Sequence, residues 1–221
     1  MSTKVFIARL SSYPDDYLKS EYEKIKGNFL SVCGGRIYER KENILGRLIL
    51  HKVLGDLSAG EYRVIYNDLE KPELECGKQL CFNVSHSGDY VALALSDDAV
   101  GCDIQEIKPC NLRVAKRHYS ENESRLIENS NDKDECFMWL WTLKESVLKF
   151  TGKGISGGLS TYDFSPYEGL ETFTAFGCNF YVTKIDNTYF ALCHKKTEFE
   201  IKKDFINRKE NTNGNYQISQ K

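Results

Sequence analysis

The sequence has no run of 18 or more apolar residues, and its opening, MSTKVFIARLSSYPDD, holds no apolar segment of signal-peptide length. A soluble, cytoplasmic protein with no membrane partner is therefore expected. Neither sign of charge dominates: 30 Lys and Arg against 32 Asp and Glu leave a formal net charge of −2. Without a cationic excess, non-specific nucleic-acid binding is excluded as the main role. None of the eight cysteines stands at C-x-x-C spacing from another, and the four histidines do not cluster with them. That excludes a zinc knuckle or a dithiol redox motif and leaves reduced, mostly buried thiols as the expectation. There is no G-x-S-x-G elbow, so serine-hydrolase chemistry is not expected. TGKGIS at 151–156 looks like half of a phosphate loop, but a Walker A motif needs Gly where Val147 stands.

What is present is ample material for a core: 221 residues, 41% hydrophobic and 12% aromatic, enough for one large domain or two small ones. KVFIAR alternates like a strand, and DDYLKSEYEKIKGNFLSVCGG has helical spacing with a stop at Gly34 and Gly35. RKENILGRLILHKVL is a second helix, with Ile44, Leu48 and Leu50 to bury and a basic side of Arg40, Lys41 and Arg47. YRVIY reads as a strand, and NDLEKPELECGKQL as irregular polar chain. CFNV, YVALALS and AVGCDIQ are three strands, the last two joined by a tight hairpin turn at Asp97 and Asp98. Helices follow, capped by Asn111, by a capping box at Ser120 and Glu123, and by Asp132, with Gly152 closing the longest. ETFTAF, CNFYVTKI and TYFALCH close the fold as antiparallel strands, and a polar, Asn-rich tail is expected from about Lys202.

YVALAL at Tyr90 and YFALCH at Tyr189 share Tyr, Ala and Leu in register, each late in a helices-then-strands half. Two buried strands can agree by chance, but the order of elements repeats as well. The fold class expected is α+β: two similar lobes with antiparallel sheets and a ligand cleft between them. The divisions are 1–104, 105–201 and a tail, 202–221.

Three segments carry chemistry. In VGCDIQE, alternation puts Asp103 and Gln105 on one face, opposite Cys102 and Ile104. Asp103 is either a strand-end acceptor of backbone hydrogen bonds or a hard-oxygen ligand for Mg²⁺. FNVSHSG offers hydroxyls, an imidazole and backbone N–H groups at one turn, which suit an anion. WTLKESVLKF puts Trp141, Glu145 and Lys149 on one helical stripe, with Lys144 beside them. Glu145 and Lys149 are either an exposed ion pair of about 0.3–0.5 kcal/mol or part of a site. Together the inventory suits metal-assisted chemistry on a phosphorylated substrate.

FNVSHSG, then G-x-D-I, then W-x-x-K-E-S-x-x-K-x-x-G-K-G resemble, in order and spacing, the Sfp-type 4′-phosphopantetheinyl transferases. The resemblance is firm from about Phe82 to Ser156, and looser over Arg36 to Leu50. It implies a pseudo-two-fold monomer that moves phosphopantetheine from coenzyme A to a serine of an apo carrier protein (acyl, peptidyl or aryl), releasing 3′,5′-ADP. Asp103 and Glu145 match Mg²⁺ ligands, with Mn²⁺ an alternative ion. Glu145 is also the first candidate for general base. Lys149 matches a phosphate contact that steers the leaving group, and Ser85 and His86 match the phosphate-binding Ser-His. Lys144 matches a phosphate or substrate contact, while Trp141 is read as packing.

Two departures stand out. Gln105 replaces a third carboxylate found in many relatives, which puts its metal contact in doubt. Glu42 stands where a basic residue often precedes the helix, leaving Arg36, Arg40, Lys41 or Arg47 for the coenzyme A 3′-phosphate; Lys71, in Glu70-Lys71-Pro72, remains a candidate nucleotide contact. Lys116 and Arg117 are one candidate docking surface for an acidic carrier. The rival readings are another Mg²⁺-dependent phosphotransferase and a silent coenzyme A- or carrier-binding module.

Overall fold

A computed structural model describes residues 1–29, 40–66, 71–152, 158–203 and 216–217, without the side chains of Leu112, Tyr216 and Gln217. Strand β1 (Thr3–Arg9) leads into helix α1 (Asp15–Ile25), a short 3₁₀ turn at Lys26–Asn28 and helix α2 (Lys41–Asp56). The first helix stops well before the expected Gly34-Gly35, which lie outside the described residues. It ends because Phe29 turns extended, makes an isolated parallel bridge with Val64 and buries its ring near Tyr22 and Tyr62.

A two-stranded hairpin follows, β2 (Tyr62–Tyr66) with β3 (Pro72–Cys76). The second strand lies in the stretch read as irregular: PELEC is half-exposed along its length, so no buried face marks it as a strand. Then come β4 (Cys81–Ser87), β5 (Tyr90–Ser96) and β6 (Val100–Glu106). β4 and β5 pair as a hairpin, but β5 and β6 do not. The chain leaves one sheet at the Asp97–Asp98 turn and enters another, where β6 pairs with β9 (Thr188–His194). The expected hairpin between β5 and β6 is thereby corrected: the turn residues are present, but partner choice is made by the more distant strand.

Helices α3 (Leu112–His118), α4 (Glu121–Asn129) and α5 (Lys133–Thr151) come next, with the expected caps. Asn111 accepts from the backbone N–H groups of Arg113 and Val114, Ser120 and Glu123 form the capping box, and Asp132 accepts from Glu135 N. Gly152, at φ 69°, closes α5 in the left-handed conformation. Strands β7 (Thr172–Ala175) and β8 (Cys178–Ile185) complete the second sheet, ordered β6-β9-β8-β7. The first sheet runs β11-β10-β1-β5-β4, with β10 at Phe199–Lys203 and β11 at Tyr216–Gln217. β10 pairs parallel to β1, so Lys202 and Lys203 are strand residues and the C-terminal chain crosses back to the first sheet.

The two echoed strands hold equivalent places. β5 lies between β1 and β4, and β9 between β6 and β8, each flanked on both sides and almost wholly buried. Three apolar clusters result. One packs α1 and α2 on the first sheet, one packs α5 on the second, and a third fills the space between the sheets with Val5, Ile7, Ala92, Cys102, Ile104 and Leu192. Burial of that apolar surface is what holds the sheets together. Asp186 in the β8–β9 turn adds a polar tie, accepting from Tyr90 and pairing with Arg9 of the first sheet. Of the seven described cysteines, all are free but only Cys102, Cys178 and Cys193 are buried, so the mostly buried expectation holds for fewer than half. No described helix is long and apolar enough to cross a membrane.

Candidate active site

The seam between β4 and β6 is not a backbone ladder. Alternation along FNVSHS turns Asn83, Ser85 and Ser87 to one face of β4, and their side chains accept hydrogen bonds from successive outward N–H groups of β6. Cys102 N donates to Asn83 Oδ1 at 2.9 Å, Ile104 N to Ser85 Oγ at 3.3 Å and Glu106 N to Ser87 Oγ at 3.0 Å. Three polar side chains thus satisfy a strand edge that would otherwise need a neighbouring strand. The sequence held the signal, N-x-S-x-S at strand period, but reading FNVSHSG as one turn obscured it.

On its other side β6 meets α5 at very close range. A Cβ at Gly101 would overlap the carbonyl oxygen of Ser146 and the backbone of Phe150. Only glycine permits this approach, and two residues on it delivers Asp103 to the open stripe of α5. From Phe137 to Leu148 that helix is buried except at Trp141 and Glu145, and Lys149 continues the same stripe. Trp141 stacks on Phe137 and meets His118 edge-on, as a packing residue should.

Asp103 is fully buried, and its two oxygens are shared among three residues. Lys149 Nζ donates to Oδ1 at 2.6 Å, Ser85 Oγ to Oδ1 at 2.6 Å and Gln105 Nε2 to Oδ2 at 3.0 Å. Lys149 also donates to Ser85 Oγ at 2.9 Å. Of the two readings of Asp103, a strand-end acceptor of backbone hydrogen bonds fails, since all three donors are side chains. Burial raises the Glu145 pKa, and the Asp103 carboxylate raises it further against the opposing pull of Lys149. Burial alone would lower the Lys149 pKa, but Asp103, Cys102 and Glu145 outweigh it and hold the ammonium above its ordinary value. Two carboxylates and one ammonium therefore share a partly buried corner where β4, β6 and α5 meet.

His86 points to the opposite face of β4. It lines a cavity of about 210 Å³ with Asn43, Arg47, Tyr66, Phe82 and Val84. Burial lowers its pKa; Glu42 and Asp103 oppose that, while Lys149 and Arg40 reinforce it. Lys71 donates to the backbone carbonyl of Lys149 at 2.9 Å, next to Gly152. A larger cavity, about 350 Å³, lies on the far side of α5 around Asp132, Glu135 and Trp139 and includes none of the residues read as functional.

Two of the residues that the resemblance marks as contacts lie away from open solvent. Lys144, which matches a phosphate or substrate contact, has a completely buried side chain paired with the equally buried Glu123 at 2.7 Å. A cation on a mostly buried helix can sit on the core side if an acid meets it, which the spacing of charges in WTLKESVLKF does not disclose. Ser85, which matches the phosphate-binding Ser-His, is 5% exposed, and its hydroxyl bonds to Asp103, Lys149 and Ile104 N. Of the remaining basic candidates, Arg40 occupies the N-cap position of α2 without a side-chain capping bond, Lys41 pairs with Asp15 at 2.8 Å, and Arg36 lies outside the described residues.

Among the described residues no three His, Cys, Asp or Glu side chains gather as a metal site. Asp103 and Glu145 do converge, and with Gln105 in place of a third acid they give two carboxylates and an amide. Magnesium commonly takes one or two carboxylates and completes its shell with water and substrate phosphate, so this corner fits it.

Comparison with known proteins gives the family. A family model described as the 4′-phosphopantetheinyl transferase superfamily matches residues 99–213. The 4′-phosphopantetheinyl transferase psf-1 of Bacillus pumilus is 33% identical over 171 residues, covering 72% of this chain and 73% of that protein. The chain belongs to the 4′-phosphopantetheinyl transferase superfamily. The 4′-phosphopantetheinyl transferase Sfp of Bacillus subtilis strain 168 is 30% identical over 135 residues, spanning 58% of this chain and 60% of its own length. AcpT of Salmonella typhimurium, also a 4′-phosphopantetheinyl transferase, is 37% identical over 114 residues, 49% of this chain and 57% of its own. The family reading drawn from the three ordered motifs holds, and with it the α+β expectation of two sheet-based lobes.

Proposed function

We propose that this phosphopantetheinyl transferase moves the phosphopantetheine group of coenzyme A to a serine of an apo carrier protein, releasing 3′,5′-ADP, with Asp103, Glu145 and Lys149 at the reacting phosphates. The observation that carries the reading is the convergence of these three groups at the junction of β4, β6 and α5. Asp103 and Glu145, aided by the Gln105 carbonyl, would hold Mg²⁺. A bound Mg²⁺ would neutralise the pyrophosphate.

The chain's own groups have distinct tasks. Glu145 is a carboxylate with a raised pKa on the open stripe of α5, so it can take the proton from the carrier hydroxyl as that oxygen attacks the β-phosphate. Lys149 keeps a full positive charge beside the same point and stabilises the negative charge gathering on the departing 3′,5′-ADP. Ser85 aligns Asp103 and Lys149 with respect to each other. His86, at the mouth of the neighbouring cavity, is placed to contact a coenzyme A phosphate, with Arg40 and Lys71 as further basic groups nearby. Arg113, Lys116 and Arg117 are exposed on α3, whose His118 abuts Trp141. This cationic face suits an acidic carrier delivering its serine to Glu145. The two sheets within one chain suit a monomer with two related lobes.

The test incubates the protein with coenzyme A, Mg²⁺ and a panel of apo carrier proteins and follows carrier mass. A phosphopantetheine-sized gain on at least one carrier is expected. No gain on any carrier, with the enzyme folded, overturns the proposal, and turnover of a nucleotide without a carrier would favour a different phosphotransferase.

A further inference from the structure

Lys144 belongs to the same charged helix as Glu145 and Lys149 yet takes no part in their cluster. Its ammonium has three N–H donors, and the structure supplies three oxygens. They are Glu123 Oε2 at 2.7 Å, the Leu159 carbonyl at 2.8 Å and the Tyr162 carbonyl at 2.5 Å. The rings of Tyr119 and Phe164 flank the cation at 5.3 and 6.0 Å. Glu123 is equally committed: one oxygen accepts from Phe164 N at 2.9 Å, and the other accepts from Ser120 N at 2.8 Å as well as from Lys144. The capping box accounts for only one of these bonds. The rest join α4, α5 and the chain at 159–164 through one fully buried ion pair.

A buried charge pair is a costly way to stabilise a core, since apolar residues of similar size do as well or better. What it supplies is direction. Successive residues of an α-helix are turned by about 100°, so fixing Lys144 toward Glu123 fixes where Glu145 points. The clamp at Lys144 and the close contact of Gly101 with Ser146 and Phe150 hold α5 from two sides. Between them they leave only the Trp141, Glu145 and Lys149 stripe open. The same clamp anchors the chain that follows α5 through the Leu159 and Tyr162 carbonyls.

We propose that Lys144 and Glu123 are positioning residues for the transfer reaction, a buried clamp that aims Glu145 at Asp103 and touches neither coenzyme A nor carrier. The inference rests on the phosphopantetheinyl-transfer reading. A wild-type enzyme that labels no carrier would defeat that reading, whereas the clamp is judged by variants compared with an active wild type.

Four forms are compared by single-turnover transfer, by calorimetric binding of coenzyme A without metal and by urea unfolding: wild type, Lys144→Met, Glu123→Gln and the double variant Lys144→Met/Glu123→Met. Either single substitution leaves one charged or polar partner buried without its mate. Each is expected to lower the transfer rate roughly 10- to 100-fold while coenzyme A affinity stays within about twofold of wild type. The double variant removes both charges and is expected to regain stability and most of the lost rate. If Lys144→Met does not fold, Glu123→Gln and the double variant carry the same comparison. A fall in coenzyme A affinity of about tenfold or more in either variant lacking Lys144 would overturn the proposal, because it would make Lys144 a ligand contact. A wild-type rate in folded single variants would overturn it equally, leaving the pair a packing feature alone.

Discussion

Helix α2 lies on the first sheet and buries Ile44, Leu45, Gly46, Leu48, Ile49, Leu50, Val53 and Leu54. Helix α5 lies on the second and buries, among its apolar residues, Thr142, Lys144 and Ser146. The two helices cover sheets whose central strands, β5 and β9, echo each other in sequence and position. In α2 no charged side chain is fully buried, and Arg47 lies half-buried over the Tyr22 and Phe29 rings, donating to the Tyr22 hydroxyl. The other is buried nearly all round and turns charge inward twice, toward Glu123 on one side and Asp103 on another. The comparison separates what a lobe needs in order to fold from what it needs to bear a reactive site. An apolar face suffices for the first, whereas the second requires each buried charge to meet a committed partner.

The sharpest way to break this comparison is to add one methyl group to each half. At Gly101 a Cβ would collide with the backbone of α5, which cannot yield without moving the helix. Gly101→Ala is expected to cost about 3 kcal/mol or more in urea unfolding and to abolish transfer by parting Asp103 from Glu145. At Gly46 the nearest atom is the end of the Val84 side chain, at 3.0 Å, and alanine is the better helix former. Gly46→Ala is therefore expected to change stability by less than about 1 kcal/mol. Equal effects at the two glycines would refute the close approach as a special property of the second half.

The second half also buries a histidine, His194, which is 2% exposed and whose Nδ1 has no hydrogen-bond partner among the described residues. Burial pushes its pKa down to about 4. Below the ordinary value of about 6.5 the unfolded chain takes up a proton that the folded chain refuses. Stability should accordingly fall as pH drops through the range between these two values, by about 3 kcal/mol at most. Urea titrations across that range should show this slope in wild type and a shallower one in His194→Phe; identical slopes would remove His194 from the account.

A smaller effect distinguishes positions within the seam. Ser85→Ala removes a hydroxyl bonded to Asp103, Lys149 and Ile104 N and should cost about 2 kcal/mol. Ser87→Ala removes one bond to Glu106 N and should cost about 1 kcal/mol or less. The reverse order would show that the Ser85 cluster adds nothing to the seam.

What could be read in the sequence was local. Asn111, Ser120, Asp132 and Gly152 cap helices through groups within a few residues, so their patterns disclose them. Alternation placed Asp103 and Gln105 on one face of β6, because that needs only the strand period. Partner choice was hidden: nothing near Asp97 and Asp98 says that β6 will leave β5 for β9. PELEC, an edge strand, and FEIKK, which lies between β1 and the two-residue β11, are hard to read because their charged, half-exposed faces lack a buried stripe. The fate of Lys144 was equally obscure, since only the fold brings Glu123 to it, and the committed hydroxyl of Ser85 depends on Asp103 from another strand. The ordered motifs sufficed for the family, but not for which lysine of α5 the fold buries against Glu123.

The most direct test of the open stripe is the intact mass of an apo carrier after reaction with coenzyme A and Mg²⁺, using wild type and Glu145→Gln at matched folded fraction. Wild type is expected to add one phosphopantetheine to the carrier, while Glu145→Gln retains its unfolding midpoint and transfers at least about 10³-fold more slowly. Labelling by Glu145→Gln at the wild-type rate would contradict the account, because the corner shared by Asp103, Glu145 and Lys149 would then not be where the reaction occurs.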